Sequence, residues 1–328
     1  MNKNQSIEKL RNTIRRKHFS ISTEQSYVGW LLRFIHYLED GHGQGLSSEG
    51  KIEAFLTQLA HQRVSSSTQN QAFNALNFFY KETLAQPLGD ISALRAIRPA
   101  MIRNAPSVDQ VHRLLTACQN LFSYPTRLII HLLYGCGLRV VEPCSLRLKD
   151  VDLAGQKLMI RMAKGAKDRV VRLPRFLVTA IRDQIEAARV IWKQDVAAGV
   201  PVELPSRLAT KYPRSQFSWQ WSWVFPSHTT CIHPRTGAVV RFRIHEANVQ
   251  RAVRAACLRI GDDIKPHELR HAYATHCLNR GQNPRAIQLA MGHKQLETTM
   301  GYLHAEALSV SSPLDETWTC PGPQADRI

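Results

Sequence analysis

No stretch of this 328-residue chain approaches the roughly 18–20 consecutive apolar residues that a bilayer-spanning helix needs. Its start, MNKNQSIEKL, lacks the apolar core of a secretory signal. Cys-x-x-Cys pairs are missing, and the seven cysteines (Cys118, Cys136, Cys144, Cys231, Cys257, Cys277, Cys320) are odd in number and scattered. These absences argue against a membrane protein and against a disulfide framework, and lead us to expect reduced thiols in a cytoplasmic protein. Long internal repeats and low-complexity tracts are also lacking, and the length suits about two domains. Negative charge is scarce as well. Against 43 Lys and Arg stand only 26 Asp and Glu, giving +17 and a pI near 9.9. The excess runs through both halves of the chain rather than a tail. It predicts a polyanionic partner, because cations that neutralise phosphates release condensed counterions. The bland alternative is a merely soluble basic protein.

The first hundred residues carry helical periodicity. A short helix is expected over about 5–16. Ser22 and Gln25 fit a capping box ahead of Tyr27, Leu31, Phe34, Ile35 and Leu38. Ser47–Ser48 precedes Ile52, Phe55, Leu56 and Leu59, and Ser65–Thr68 precedes Phe73, Leu76, Phe79 and Leu84. Arg15, Arg16, Lys17, Arg63 and Lys81 fall on the polar faces, either as solvated charge or as phosphate contacts. Residues 86–106 mix Pro, Gly and Arg without period, as a basic linker would. Ser107 and Gln110 make another capping box, and 124–134 reads as a buried helix stopped by Gly135 and Gly137. The period then changes. Segments 148–153, 157–163 and 169–173 alternate as strands of a small antiparallel sheet, with a turn at Lys164–Ala166. Helix resumes over 175–198, 244–260, 266–280, 284–292 and 295–308, before a polar tail. The predicted class is mainly α with a small antiparallel β-sheet.

Residues 199–243 fit neither period. Trp219, Trp221 and Trp223 alternate there among Lys211, Arg214, Arg241 and Arg243. Three tryptophans at period two suit a strand with one buried face. Aromatics interleaved with cations also suit stacking on unpaired bases beside a phosphate track.

His267-Glu268-Leu269-Arg270-His271 matches the zinc-protease pattern H-E-x-x-H. The extended form of that pattern wants Gly and His where Ala274 and Cys277 stand, and Arg270 within the motif opposes a divalent cation. His228, Cys231 and His233 lack a second ligand pair. No metal is therefore expected. In the company of Arg139, Lys164, Gly292-His293 and Tyr302, the same helix reads as part of a phosphate-directed set. Arginine forks clamp nonbridging oxygens, and a tyrosine supplies a covalent nucleophile.

In order and rough spacing, Arg139, Lys164, His267-x-x-Arg270, Gly292-His293 and Tyr302 resemble the tyrosine recombinases of the phage-integrase family. The resemblance implies a helical core-binding domain over 1–85, a linker over 86–100, an α+β catalytic domain over 101–310 and a tail over 311–328. The block 203–226 resembles the extra segment of integron integrases, which grips bases pushed out of folded single-stranded sites. Departures are Pro143, in an early helical turn, and Phe242-Arg243, where integron integrases commonly carry adjacent histidines.

The resemblance further implies the chemistry. Tyr302 attacks a backbone phosphorus and leaves a 3′-phosphotyrosyl ester. Arg139 and Arg270 hold the equatorial oxygens, Lys164 protonates the leaving 5′-oxygen, His267 assists the tyrosine proton and His293 bonds the phosphate. The ester keeps the bond energy, so neither ATP nor another cofactor is expected. The implied partners are DNA, folded hairpins among its forms, and further copies of the chain in a tetramer on two DNA sites. Trp219, Trp221, Trp223, Lys211, Arg214, Arg241 and Arg243 are the DNA-contact candidates.

Overall fold

The computed structural model describes residues 2–89, 91, 105–163, 167–204, 206–292 and 312. The chain divides into two units, Met1–Arg103 and Asn104–Ile328.

The first unit is helical: α1 (Lys3–Arg16), α2 (Ile21–Glu39), α3 (Ser48–His61) and α4 (Ser66–Phe78), which runs on into a π-helical turn over Phe79–Thr83. Each start is capped by a short polar side chain. Asn2 and Gln5 form a capping box, and Ser47 and Ser65 accept from the amides of Gly50 and Thr68. The cap of α2 is Ser20 and not the predicted Ser22, because the Ser20 hydroxyl reaches the Thr23 amide and Ser22 already lies in the first turn. The apolar faces close over Leu10, Ile14, Leu31, Phe34, Ile52, Phe55, Leu56, Leu76 and Phe79. Arg15 is exposed, as expected, and pairs with the buried Glu24, its Nη2 lying 2.7 Å from Oε1.

The second unit packs α5 (Val108–Ala117), α10 (Glu246–Ile260) and α11 (Pro266–Asn279) around α6 (Thr126–Gly135). Helix α6 is buried at every position from Ile129 to Gly135, which explains an apolar run interrupted by His131 alone. Short helix α7 (Val141–Cys144) leads to the sheet β1 (Val151–Asp152), β2 (Lys157–Ala163) and β3 (Lys167–Arg172), antiparallel throughout. Leu158 faces Val171 across it and Ile160 faces Arg169. The first strand is shorter than predicted, since 148–150 form a 3-10 turn. Beyond it come α8 (Arg175–Ala197), α9 (Ser206–Lys211), a two-stranded ribbon of β4 (Cys231–Ile232) and β5 (Val239–Val240), and α12 (Pro284–Met291). The molecule is thus mainly α with a small antiparallel sheet, as its periodicities require. Among the described residues no helix is long and apolar enough to cross a membrane. The helix expected over 295–308 lies outside them. So do 90, 92–104 of the linker region and the tail, save Ser312, whose buried hydroxyl donates to the Gly135 carbonyl at 2.6 Å.

Candidate active site

Helix α6 ends on a backbone that only glycine accommodates. Gly137 has φ +61, and a Cβ there would lie 2.5 Å from the Tyr273 ring. The turn delivers Arg139 to the start of α7, where Glu142 folds back on it. The Glu142 carboxylate accepts from the Arg139 amide at 2.8 Å and from Arg139 Nη1 at 3.0 Å. Pro143 sits within the four residues of α7, where a missing amide donor costs nothing because first-turn amides have no helical partner. The helix therefore begins just before the proline.

Glu142 is the centre of a cluster. Arg169, on β3, grips it with both prongs of its fork, Nη1 to Oε1 at 2.9 Å and Nη2 to Oε2 at 2.7 Å. Arg270, on α11, brings Nη1 to 3.8 Å from the same carboxylate. Its other bonds run to the Gly137 carbonyl at 2.7 Å and to the Met291 carbonyl. Arg270 is 1% exposed, one of the largest fully buried side chains among the described residues. Burial, with Arg139 nearby, pushes its pKa down to about 9, so it stays charged at neutral pH. Burial, the largest single influence, opposes ionisation of Glu142, but the bonds and charge of Arg169, the Arg139 amide and the Arg270 charge together hold the carboxyl below the usual range. Three guanidiniums around one carboxylate leave the cluster strongly positive. Arg139 is the open member, its side chain 28% exposed.

Arg139 and Arg270, far apart in sequence, are thus brought together. His267 lies one turn before Arg270 on α11, exposed, with its ring 4.6 Å from that of His271. Lys164, His293 and Tyr302 lie outside the described residues. Among the described residues no group of three or more His, Cys, Asp or Glu is arranged to hold a metal ion. His233 accepts the amides of Arg235 and Thr236, and His228 packs edge-on against Tyr124. Sequence reasoning gave no role to Glu142 or Arg169. Glu142, three residues after Arg139, was within reach of helical spacing. Nothing marks Arg169 in an alternating strand, since its burial follows from packing against α12.

The tryptophan segment forms no strand. It consists of α9 and two 3-10 turns, Pro213–Phe217 and Trp219–Trp221, ending in a bridge between Trp223 and Arg147. Trp223 is buried, with the Arg147 guanidinium 3.6 Å over its ring and its Nε1 donating to the Arg241 carbonyl at 3.3 Å. Trp221 is half-buried and carries Lys149 Nζ 3.1 Å above its ring. Trp219 is half-buried against Trp192, their centroids 5.2 Å apart. Arg241 turns inward. It holds Asp195 with two bonds of 2.8 and 2.6 Å and donates to the carbonyls of Ser227 and His228. These contacts build Trp223 and Arg241, both candidates for DNA contact in the sequence, into the packing. Arg243 bonds Glu246 and the Ile244 carbonyl, while Lys211 and Arg214 are exposed.

The second unit is thus a mainly helical body with a small antiparallel sheet that gathers three arginines around one carboxylate. The comparisons sharpen this. Residues 107–308 match the Phage integrase family, and residues 7–90 match the phage integrase N-terminal SAM-like domain. An integrase/recombinase of Escherichia coli is 40% identical over 319 residues, covering 94% of this chain and 93% of that one. The tyrosine recombinase XerD of Agrobacterium fabrum is 31% identical, covering 77% and 75%. Among solved structures, the fold resembles a lambda integrase dimer bound to a core site (TM-score 0.57, 15% identity, 89% and 95% covered). It also resembles a lambda integrase tetramer bound to a Holliday junction (TM-score 0.54, 15% identity, 90% and 78% covered). The chain belongs to the phage integrase family, the tyrosine recombinases.

Proposed function

We propose that this recombinase cuts and rejoins DNA at specific sites through a 3′-phosphotyrosyl intermediate, in the manner of the integron integrases. The observation that carries the chemistry is the convergence of Arg139 and Arg270 on Glu142, with His267 on the same helix as Arg270. Two guanidiniums held at one place are pre-organised for the negative charge that grows on a phosphoryl group in flight. The Tyr302 oxygen attacks phosphorus and the bond to the 5′-oxygen breaks, with Lys164 giving that oxygen its proton. His267 assists removal of the Tyr302 proton, since a free phenol with a pKa near 10 is mostly protonated at neutral pH. His293 donates to a phosphate oxygen. In the second half of the reaction a 5′-hydroxyl of the partner strand attacks the ester and Tyr302 is released, so no cofactor is consumed.

The substrates we assign are folded single-stranded cassette sites with extruded bases, acted on by a tetramer spanning two sites. The four-chain assembly bound to a Holliday junction in lambda integrase supports that stoichiometry. For the hairpin substrate, support comes from the 203–226 segment, whose half-buried Trp219 and Trp221 lie beside exposed Lys211 and Arg214. A second reading, a Xer-like recombinase on duplex sites, is favoured by relatives such as XerA of Thermococcus kodakarensis, 29% identical over 307 residues. Recombination assays on the same site, offered folded and as duplex, decide between them. Preference for the folded form supports the integron reading, and activity on duplex alone supports the other. Absence of a covalent adduct on a nicked suicide duplex and on a nicked folded site would overturn the phosphotyrosyl chemistry.

A further inference from the structure

Arg169 belongs to no motif above, yet it ties together the three parts of the site that come from distant stretches of chain. It lies on β3, which begins three residues after Lys164 in the sequence. Its fork holds both oxygens of Glu142 at 2.9 and 2.7 Å. Its Nε donates at 2.6 Å to the carbonyl of Ala290 in the last turn of α12, the helix that Gly292 caps. Gly292 is shaped around it. A Cβ there would meet Arg169 Cδ at 3.2 Å, and the φ of +66 already favours glycine. Arg169 is 6% exposed, so its charge serves the interior and not a ligand in solvent.

We infer that Arg169 is a positioning residue for strand cleavage, which occupies Glu142 so that Arg139 is not drawn fully onto that carboxylate and away from the scissile phosphate. The physical reason is competition for one carboxylate. Glu142 accepts four bonds from the arginines, two of them from Arg169. Without Arg169 the buried carboxylate would neutralise itself against its remaining partners. Arg139, with a side chain 28% exposed, is the freer of these to be drawn in. A guanidinium locked in a bidentate pair presents a poorer fork to phosphate. The cluster would also lose one of its three positive charges. The inference rests on the assignment of Arg139 and Arg270 as phosphate-holding groups.

Arg169→Met, measured for cleavage of a nicked suicide substrate and for DNA affinity, should cleave about a hundredfold more slowly, the scale of a misplacement of about 1 Å in a reacting site. Its DNA affinity should stay within about threefold of the parent, because the lost cation contacts no DNA. Arg169→Lys keeps the charge but not the fork, and should lie between the two. The decisive arm is Arg169→Met/Glu142→Gln. Removing the unsatisfied carboxylate charge should recover cleavage at least about tenfold over Arg169→Met. A strut that only stabilised the fold would make the double variant no better than the single one. Wild-type cleavage by Arg169→Met, or no recovery in the double variant, overturns the inference. So does failure of both Arg169→Met and Arg169→Lys to fold, which would make the residue a stability element. Arg139→Ala serves as the control. If it also cleaves normally, the assignment beneath the inference fails; if it is inactive while Arg169→Met is normal, only the inference fails.

Discussion

The arginine cluster around Glu142 and the segment from Val202 to Arg243 use the same residue type for opposite ends. In the first, three guanidiniums converge on one buried carboxylate and positive charge is left over, with Arg139 facing outward. In the second, Arg147 and Arg241 are absorbed. Arg147 is held by the carbonyls of Trp221 and Glu203 beneath the Trp223 ring, and Arg241 is matched one-to-one with Asp195. The difference is stoichiometry. A buried cation with its own carboxylate and carbonyls is structural, whereas surplus cations sharing one carboxylate create an anion site. In the aromatic segment the exposed cations include Lys211 and Arg214 instead.

The sharpest way to break this contrast is to remove the proposed nucleophile. Tyr302→Phe should bind DNA normally and form no covalent adduct, because only the attacking oxygen is lost. A gel-stable adduct on a suicide substrate would show that another residue attacks. Next in size, Arg139→Ala and Arg270→Ala should each slow cleavage at least about a hundredfold, the typical loss on deleting one transition-state donor. Arg270→Ala should in addition lower the melting temperature, since it strips two buried carbonyls of their partner. Arg139→Ala should melt nearly as the parent does, and equal destabilisation by both would erase the distinction drawn between the open arginine and the buried one.

For the other region the order of effects reverses. Arg241→Ala should cost about 3–5 kcal/mol of stability, the penalty for stranding a buried partner, here Asp195. It should weaken folded and duplex sites alike. Trp221→Ala should weaken folded single-stranded sites by about 5–150-fold, from about 1–3 kcal/mol per stacked base, and barely change duplex binding. Affinities for both substrates, taken beside melting curves, separate the two cases. Equal loss on hairpin and duplex with a lowered melting temperature would move Trp221 into the packing with Trp223.

The smallest expected effect is on acid stability. Glu142 has a folded pKa held below its unfolded value, mainly by Arg169 working against burial. Its contribution is therefore complete above the ordinary carboxylate pKa of 4.5 and is lost as pH falls through the lower, folded value. Urea midpoints recorded from neutral pH down through this range should fall less steeply for Glu142→Gln than for the parent. An unchanged slope would mean that the cluster draws no stability from the ionised carboxylate.

Much of the fold was legible because it follows from local chemistry. Serine caps at 47, 65 and 107, the apolar stripes of α2 to α4 and the alternation of β2 and β3 are written in consecutive residues. Ser20 and Ser22 show the limit: both can cap, and only the path of the chain after Phe19 selects the first. The tryptophans at 219, 221 and 223 misled for a similar reason. Period two predicts a strand only where a neighbouring strand is present, and 3-10 turns packed on α8 produced the same spacing.

The sequence by itself determined the helical class, the small sheet and the positive charge, because periodicity and residue type act over a few neighbours. Only the tertiary structure decided which charges are shared and which are matched. Glu142 meets Arg169 and Arg270, and Asp195 meets Arg241, across separations that no local pattern records. Burial sets the strength of those pairings, and burial is a property of the packed chain.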